Sequence, residues 1–558
     1  MLRLTNSLFL LFLLFACTNT DQSQVASPEL NLPERPNILW LVAEDLGPYI
    51  PSFGDSTVQT PNLSRLAAEG ICYDHVFSPS PVCAPSRAAI ATGMYPTHIA
   101  ANHMRTGPWY AANISDKAIT EYAEMMPEGV FPYEAKPEAG VKMMSEVLRE
   151  AGYYCTNNAK QDYQFRATKT AWDESSREAH WKNRAEGQPF FSIFNFEVTH
   201  ESRIWAKAED SLWIDENLDI PIPPYLPDTE VGKKDVRRMY SNIKEMDHQV
   251  GEILKQLEED GLLDKTIIFW YTDHGGPLPR QKRLMYDSGL RVPMIIRFPE
   301  AQLAGSRDDQ LISFIDFAPT VFSLTGIEPP AQLDGQAFLG QYKAENPRKY
   351  IHAAADRFDG LYDANRGVRD KQYKYIRYYE PEKPMLLQVK YREQMAIMQE
   401  LHRLKEAGEL TEAQAQWFRE TKPEEELFDV NNDPHELNNL ANDPAYKDKL
   451  EELKAECERW VNSFEDTGLM PETELLAKLW PDGKAPETAS PEIEKSEYQL
   501  KITCSTPGAS IGYKWVKEEA PEAWQVYKEA IPLQEGAKLQ IIADRIGYKP
   551  SEVVEIDL

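Results

Sequence analysis

The chain reads as an α/β protein in which a large sheet is flanked by helices, and three observations carry that reading. Asn37 to Ala43 is, after its first residue, an unbroken apolar run, and Phe190 to Val198 and Thr266 to Thr272 are largely apolar. Runs without polar alternation mark strands covered on both faces, as inside a sheet with helices on each side. Between the last two, Met239, Ile243, Met246, Val250, Ile253 and Leu257 recur at helical spacing, the core-facing stripe of a long amphipathic helix. Each run also ends in residues that carry chemistry: Glu44-Asp45, Thr199-His200 and Asp273-His274-Gly275-Gly276. Open α/β sheets hold their functional groups beyond the carboxyl ends of the strands. Adjacent carboxylates such as Glu44 and Asp45 are costly to hold together unless a cation sits between them.

The other elements follow in order. Pro61 to Gly70 reads as a short helix leading into Cys72 to Phe77, and Val141 to Ala151 as an amphipathic helix before a strand that starts at Tyr153. Cys83 opens a helix: Pro85 suits its first turn, Ala88 to Ala91 extend it, and Gly93 stops it. The unpaired N–H groups at such a helix start favour an anion, and Arg87 adds a cation one turn on. Arg366 to Arg369 and Tyr373 to Arg377 read as strands of a smaller α+β subdomain over 346–467, behind a main domain over 36–345. Residues 468–495, rich in Pro, Glu and Ala, read as a linker, and the alternating segments of 496–558 as an appended small β-domain.

The ends and the composition bound the rest. Arg3 precedes an apolar run, Leu8 to Ala16, that is too short to span a bilayer. Leu14-Phe15-Ala16-Cys17 resembles a lipobox, so residues 1–17 are expected to be a signal, Cys17 a lipidation site and 18–35 a tether. The expectation is an exported bacterial lipoprotein on the outer membrane, touching membrane only through its lipid. A formal net charge of −29 argues against nucleic acid, although a local basic pocket could still take an anion. The six cysteines show no close-spaced pair of the kind that marks a metal knuckle.

Cys83-Ala84-Pro85-Ser86-Arg87, followed by Thr92-Gly93, resembles the signature of type I sulfatases of the alkaline phosphatase superfamily. Further motifs stand in that family's order from Pro36 to Leu440, among them Glu44-Asp45, Lys160, Asp273-His274 and Lys282. The resemblance implies a large mixed sheet of the alkaline-phosphatase type. It implies that a formylglycine-generating maturase oxidises Cys83 to 3-oxoalanine, and that Ca2+ is held by Glu44, Asp45, Asp273, His274 and residue 83. Arg87, Lys160 and Lys282 would neutralise sulfate oxygens, and His200 would protonate the leaving oxygen. His103, Arg105 and Asp162 are expected substrate contacts. Two departures from the family stand out: Glu44 where aspartate is usual, and Lys160-Gln161-Asp162 where Lys-x-His is common.

The implied activity is hydrolysis of sulfate esters on sugar units of a sulfated polysaccharide, with ulvan the named expectation. A heparan-type N-sulfatase and a phosphodiesterase or phosphonate monoester hydrolase remain as alternatives. A silent glycan-binding lipoprotein is opposed by the intact Cys83, Arg87, Lys160, Asp273 and Lys282.

Overall fold

The computed structural model describes residues 30–109, 114–516 and 523–558. Cys17, the apolar run before it and the tether through residue 29 lie outside the described residues.

Eight strands form the main sheet: β1 (Asn37–Ala43), β2 (Ile71–Phe77), β3 (Tyr154–Asn158), β4 (Glu174–Ser175), β5 (Phe190–Phe196), β6 (Thr266–Thr272), β7 (Arg291–Arg297) and β8 (Ser306–Ser313). Their order is β4-β3-β5-β1-β6-β7-β2-β8. All neighbours are parallel except β7, which runs against both β6 and β2. The sheet is therefore mixed, and β1 and β6 at its centre are buried at every residue. Their continuous apolar runs follow directly from helices covering both faces.

One reversed strand has a consequence for the site. The carboxyl ends of β1, β2, β3, β5 and β6 share one edge with the start of β7. Register keeps them level, with Ala43 opposite both Phe196 and Thr272. The residues just past those strands must then converge.

The expected long helix spans Glu230–Glu259 and buries Met239, Ile243, Met246, Val250 and Leu257, while Thr229 caps it by accepting from the Gly232 amide. The smaller subdomain is an antiparallel sheet, β12-β11-β10-β9, made of β9 (Ile351–Ala355), β10 (Asn365–Arg369), β11 (Tyr373–Tyr378) and β12 (Glu425–Asp429). Helix Lys447–Val461 packs Leu453 and Cys457 onto Val368, Tyr375 and Leu427 of that sheet.

The C-terminal part holds β13 (Glu492–Lys495), β14 (Gln499–Thr503), β15 (Ser510–Val516), β16 (Gln525–Val526), β17 (Ile531–Pro532), β18 (Lys538–Asp544) and β19 (Val554–Asp557). They form two antiparallel sheets, β13-β14-β17 and β16-β15-β18-β19, around Leu500, Ile502, Ile531, Leu539 and Ile541.

Residues 468–495 are not a free linker. Helix Glu472–Leu479 lies in this stretch and packs Leu475, Leu476 and Leu479 with Ala100 and Tyr133. Glu472 takes both ends of the Arg357 guanidinium, at 2.6 and 2.7 Å. A Cβ on Gly468 would stand 2.2 Å from Asp356 Oδ2, so this backbone is pressed into the subdomain. The Pro- and Glu-rich composition hid a short apolar stripe.

Candidate active site

The Cys83 helix, Cys83–Thr92, is buried along its whole length and ends at Gly93 in the left-handed conformation, φ 71°. Cys83 is 2 % exposed at its start and faces a cavity of about 700 Å³. Burial, and then the nearby Asp162 carboxylate, push the thiol well above its ordinary pKa. A thiol held protonated is a weak nucleophile as it stands.

Asp45 and Asp273 close adjacent strands and lie in contact. The Asp45 amide donates to Asp273 Oδ1 at 3.0 Å, and Asp45 itself is held at φ 49°. Burial alone would raise the Asp45 carboxyl, but the Lys282 ammonium foremost, with His200 and His274 adding to it only when protonated, holds it well below the usual range. Asp273 is likewise opposed by burial and held low by Arg87, whose Nε donates to Oδ2 at 3.0 Å. Ser86 Oγ donates to the Asp273 carbonyl, tying the Cys83 helix to the end of β6. Gly275 and Gly276 serve close approach: a Cβ would meet Ser288 O at 2.2 Å and Gln281 Oε1 at 2.1 Å.

His274 tests whether a metal fits here. Its Nδ1 lies 3.1 Å from the Gly275 carbonyl, which can only accept, so the ring proton sits on Nδ1. In the neutral ring Nε2 then presents a lone pair 2.9 Å from Asp45 Oδ1, buried and without a hydrogen bond. Two lone pairs facing one another at that distance suit a shared cation. Asp45, Asp273 and His274 offer ligand atoms within 4.8 Å of one another, and Glu44, Asp45 and His200 form a second such group. Cys83 belongs to neither group as a thiol. The residues fit a metal ion with Asp45 at the centre and Glu44 to one side.

The cations sit among these carboxylates. Lys160 pairs with Glu44, lies 3.7 Å from Asp162 and lines the cavity. Lys282, 2 % exposed, lies 2.8 and 3.0 Å from the two Asp45 oxygens and 3.1 Å from Glu201 Oε1. Burial would lower its pKa, but Asp45 and Glu201 hold it above the ordinary lysine value. Arg105, at φ 63°, lines the cavity with Asp162 and pairs with Asp359 at 3.3 Å.

Two histidines depart from expectation. His200 lines the cavity, but burial and then Lys282 lower its pKa to about 3. Its Nδ1 accepts the Ser202 amide at 3.2 Å, and its Nε2 stands 3.4 Å from the Lys282 ammonium, which can only donate, and 3.9 Å from Asp45 Oδ2. Donors at both ring nitrogens favour a neutral ring over a charged acid. His103 is corrected outright: it is fully buried, its Nδ1 accepts the Arg357 amide at 3.3 Å, and it does not line the cavity. It is a packing residue behind the site.

Sequence reasoning missed Glu201, Asn195 and the rim. Glu201 donates its amide to Asp45 Oδ2 at 2.7 Å and binds Arg283 through both oxygens at 2.8 and 2.9 Å. Asn195 Oδ1 accepts from Arg87 Nη1 at 2.7 Å. Arg177, Arg203 and Lys207 supply a basic mouth. Glu201 was findable, since it directly follows the Thr199-His200 strand end; the rim cations carry no motif.

The family model for sulfatases matches residues 36–327. The chain belongs to the sulfatase family. A second model, for the C-terminal part of N-sulphoglucosamine sulphohydrolase, matches residues 280–417. An ulvan-active sulfatase of Formosa agariphila is 51 % identical over 95 % of this chain and 92 % of its own length. Human N-sulphoglucosamine sulphohydrolase is 23 % identical over 83 % of this chain and 95 % of its own. Among solved structures, a putative sulfatase from Bacteroides thetaiotaomicron superposes with a TM-score of 0.54 at 19 % identity, covering 77 % of this chain and 93 % of that one. This sulfatase is a sulfuric ester hydrolase with the mixed sheet expected of its family.

Proposed function

We propose that the enzyme removes sulfate from sugar units of ulvan or its oligosaccharides, with Cys83 converted to formylglycine by a maturase and calcium as the resident metal. The relative that is 51 % identical over 95 % of this chain, an ulvan-active sulfatase, carries the substrate reading. The intact Cys83-Ala84-Pro85-Ser86-Arg87 motif, heading a buried helix with Cys83 on the cavity, supports the modification. A hydrated aldehyde at this position would supply two geminal hydroxyls, one to attack sulfur and one whose collapse releases sulfate. The carboxylate-rich set Glu44, Asp45 and Asp273, with His274, would hold calcium, which would supply Lewis acidity toward sulfate oxygens.

The chain's own side chains then divide the work. Lys160 faces the cavity from between two carboxylates and can turn its ammonium to a sulfate oxygen. Lys282 clamps Asp45, and Arg87 clamps Asp273, at the orientation their ligand role requires. His200 lines the cavity where it can hydrogen-bond the leaving oxygen. Arg105 and Asp162 meet the sugar. We read the N-terminus as that of an exported lipoprotein anchored at the outer membrane through Cys17.

Defined ulvan and heparin oligosaccharides, scored for released sulfate, test the substrate. Release from ulvan fragments well above that from heparin fragments is expected, and the reverse order would refute the assignment. Peptide mass spectrometry after co-expression with a maturase should find the aldehyde at position 83. An unmodified thiol in fully active enzyme would sink the nucleophile. Exhaustive chelation should abolish turnover and added calcium restore it; activity that survives chelation would count against the metal.

A further inference from the structure

A second cavity, of about 710 Å³, lies between the catalytic sheet and the C-terminal β-domain. Arg166, Lys169 and Trp172 line it from the catalytic side, and Lys514, Trp524 and Tyr548 from the β-domain. It adjoins the reaction centre. Lys160 and Asp162 line the catalytic cavity, while Gln161 between them lines the second, so one loop is the wall common to both. That wall is tied down, because Gln161 Nε2 and Asn157 Nδ2 both donate to Ser175 Oγ, at 2.9 and 3.1 Å.

The far wall is also held in place. The Trp524 carbonyl accepts from Arg149 Nη2 at 2.8 Å, and Arg149 is itself buried and paired with Asp173 at 2.6 Å. Gly512 permits the approach, since a Cβ there would lie 3.0 Å from Trp524 Cβ and 3.4 Å from Thr170 Cγ2 on the catalytic side. The Lys169 amide donates to the buried Asp544 carboxylate at 2.8 Å, joining this loop to β18. Lys514 Nζ stands 4.7 Å over the Trp524 ring.

The rings of Trp172, Trp524 and Tyr548 suit stacking of a sugar, and an anionic substituent on it would draw the Lys514 ammonium off the Trp524 face to meet it. Arg166 in this lining is committed to Glu134 and the Asp544 carboxyl shares the cavity, so Lys169 and Lys514 are the ammonium groups that line it. We propose that this cavity is a second carbohydrate subsite, holding an acidic sugar unit of the same polysaccharide chain whose sulfated unit occupies the catalytic cavity. The proposal rests on the polysaccharide sulfatase reading. It gives the C-terminal β-domain a task, which is to complete a groove longer than one sugar.

The test compares the full-length enzyme with its Trp524→Ala, Trp524→Phe and Lys514→Ala variants on ulvan oligosaccharides of increasing length and on nitrophenyl sulfate. For the two alanine variants, KM on the longer oligosaccharides should rise about tenfold with kcat nearly unchanged, while nitrophenyl sulfate turnover stays as in the parent. Trp524→Phe should recover much of the loss, which a ring needed only for folding would not explain. Losses shared equally by nitrophenyl sulfate, or a KM that ignores chain length, would overturn the subsite.

A binding arm separates this idea from the substrate reading. The Cys83→Ala protein, run through gels holding ulvan or heparin, should be retarded, and adding Lys514→Ala should remove the retardation. No retardation of the parent on either gel, or retardation that Lys514→Ala leaves unchanged, would overturn the subsite even if sulfate release is confirmed. Retardation lost in the Lys514 variant, in an enzyme that releases no sulfate from any ester, would support the subsite and overturn the substrate reading.

Discussion

At the inner end of the catalytic cavity Cys83, Asp45, Asp273 and His274 are at most 2 % exposed. At its mouth the Arg177 side chain is 82 % exposed and Arg203 42 %, each 3.8 Å from the half-exposed Glu197. The inner charges have no water to fall back on, so every carboxylate there is matched by a committed cation, and removing one partner strands the other. The outer pairs are worth little to stability and can exchange one anion for another at small cost. One end of the cavity is built to hold geometry and the other to accept a substrate.

The largest effect that could break this contrast is at Asp273. Asp273→Asn removes an expected metal ligand and the partner of Arg87 Nε. We expect kcat on nitrophenyl sulfate to fall about 10³-fold or more; a loss below tenfold would mean that the inner carboxylates are not a working unit. Asp45→Asn should behave alike, because Lys282, His274 and the Glu201 amide all converge on Asp45.

The two lysines should separate next. Lys282→Ala leaves Asp45 and Glu201 buried with less compensation, so it should cost about 3–5 kcal/mol of stability along with activity. Lys160 lines the cavity, so Lys160→Ala should cut turnover of every sulfate ester by about 10²-fold, and because it strands only Glu44 it should lower the melting temperature by less than Lys282→Ala does. Equal melting temperatures for the two variants would erase the distinction between clamp and substrate contact. His200→Ala sharpens the same point. A hydrogen bond to the leaving oxygen helps poor leaving groups, so the loss on a sugar sulfate should exceed that on nitrophenyl sulfate, by about tenfold at the lower end for an acid.

Smaller effects belong at the mouth. Arg203→Ala and Arg177→Ala should raise KM for oligosaccharides a few-fold, with the effect fading as salt rises. Neither should change nitrophenyl sulfate turnover. A salt-independent loss on both substrates would place these arginines in the inner machinery instead.

The same contrast explains what was legible in the sequence. Buried strands announce themselves by composition, and catalytic groups must follow them closely, so Asp45, Asp273, His200 and the Cys83 helix could be read directly. Lys160 and Lys282 needed the family pattern, since a lysine in a loop has no periodicity to mark it. The rim was invisible because exposed cations such as Arg177 and Arg203 look like any solvated surface. Helix Glu472–Leu479 was hidden by a composition typical of linkers, although its leucines face Tyr133 and Ala100. His103 misled through position: it follows the Cys83 helix closely, yet the chain turns it inward.

That inward turn yields the smallest and most specific prediction. His103 is 0 % exposed, with Nδ1 accepting the Arg357 amide and Nε2 without a hydrogen bond. Burial lowers its pKa to about 4; Arg357 and Arg366 push the same way, and Glu472 and Asp466 oppose them. The unfolded chain takes up a proton near pH 6.5, but the folded ring refuses it until about pH 4. Between those values the unfolded state binds more protons, so stability falls as pH drops through that window, by about 3 kcal/mol for this residue once below it. His75, likewise lowered to about 4, and His200, lowered to about 3, add to the same slope. His103→Asn keeps an acceptor where Nδ1 stands and removes the titration. Denaturant midpoints at pH 7 and pH 4 should therefore differ less in the variant than in the parent, with kcat on nitrophenyl sulfate at pH 7 little altered. Parallel pH profiles for the two proteins would show that His103 is not the proton-refusing residue its burial makes it, and a collapse of kcat would return it to the substrate's side of the wall.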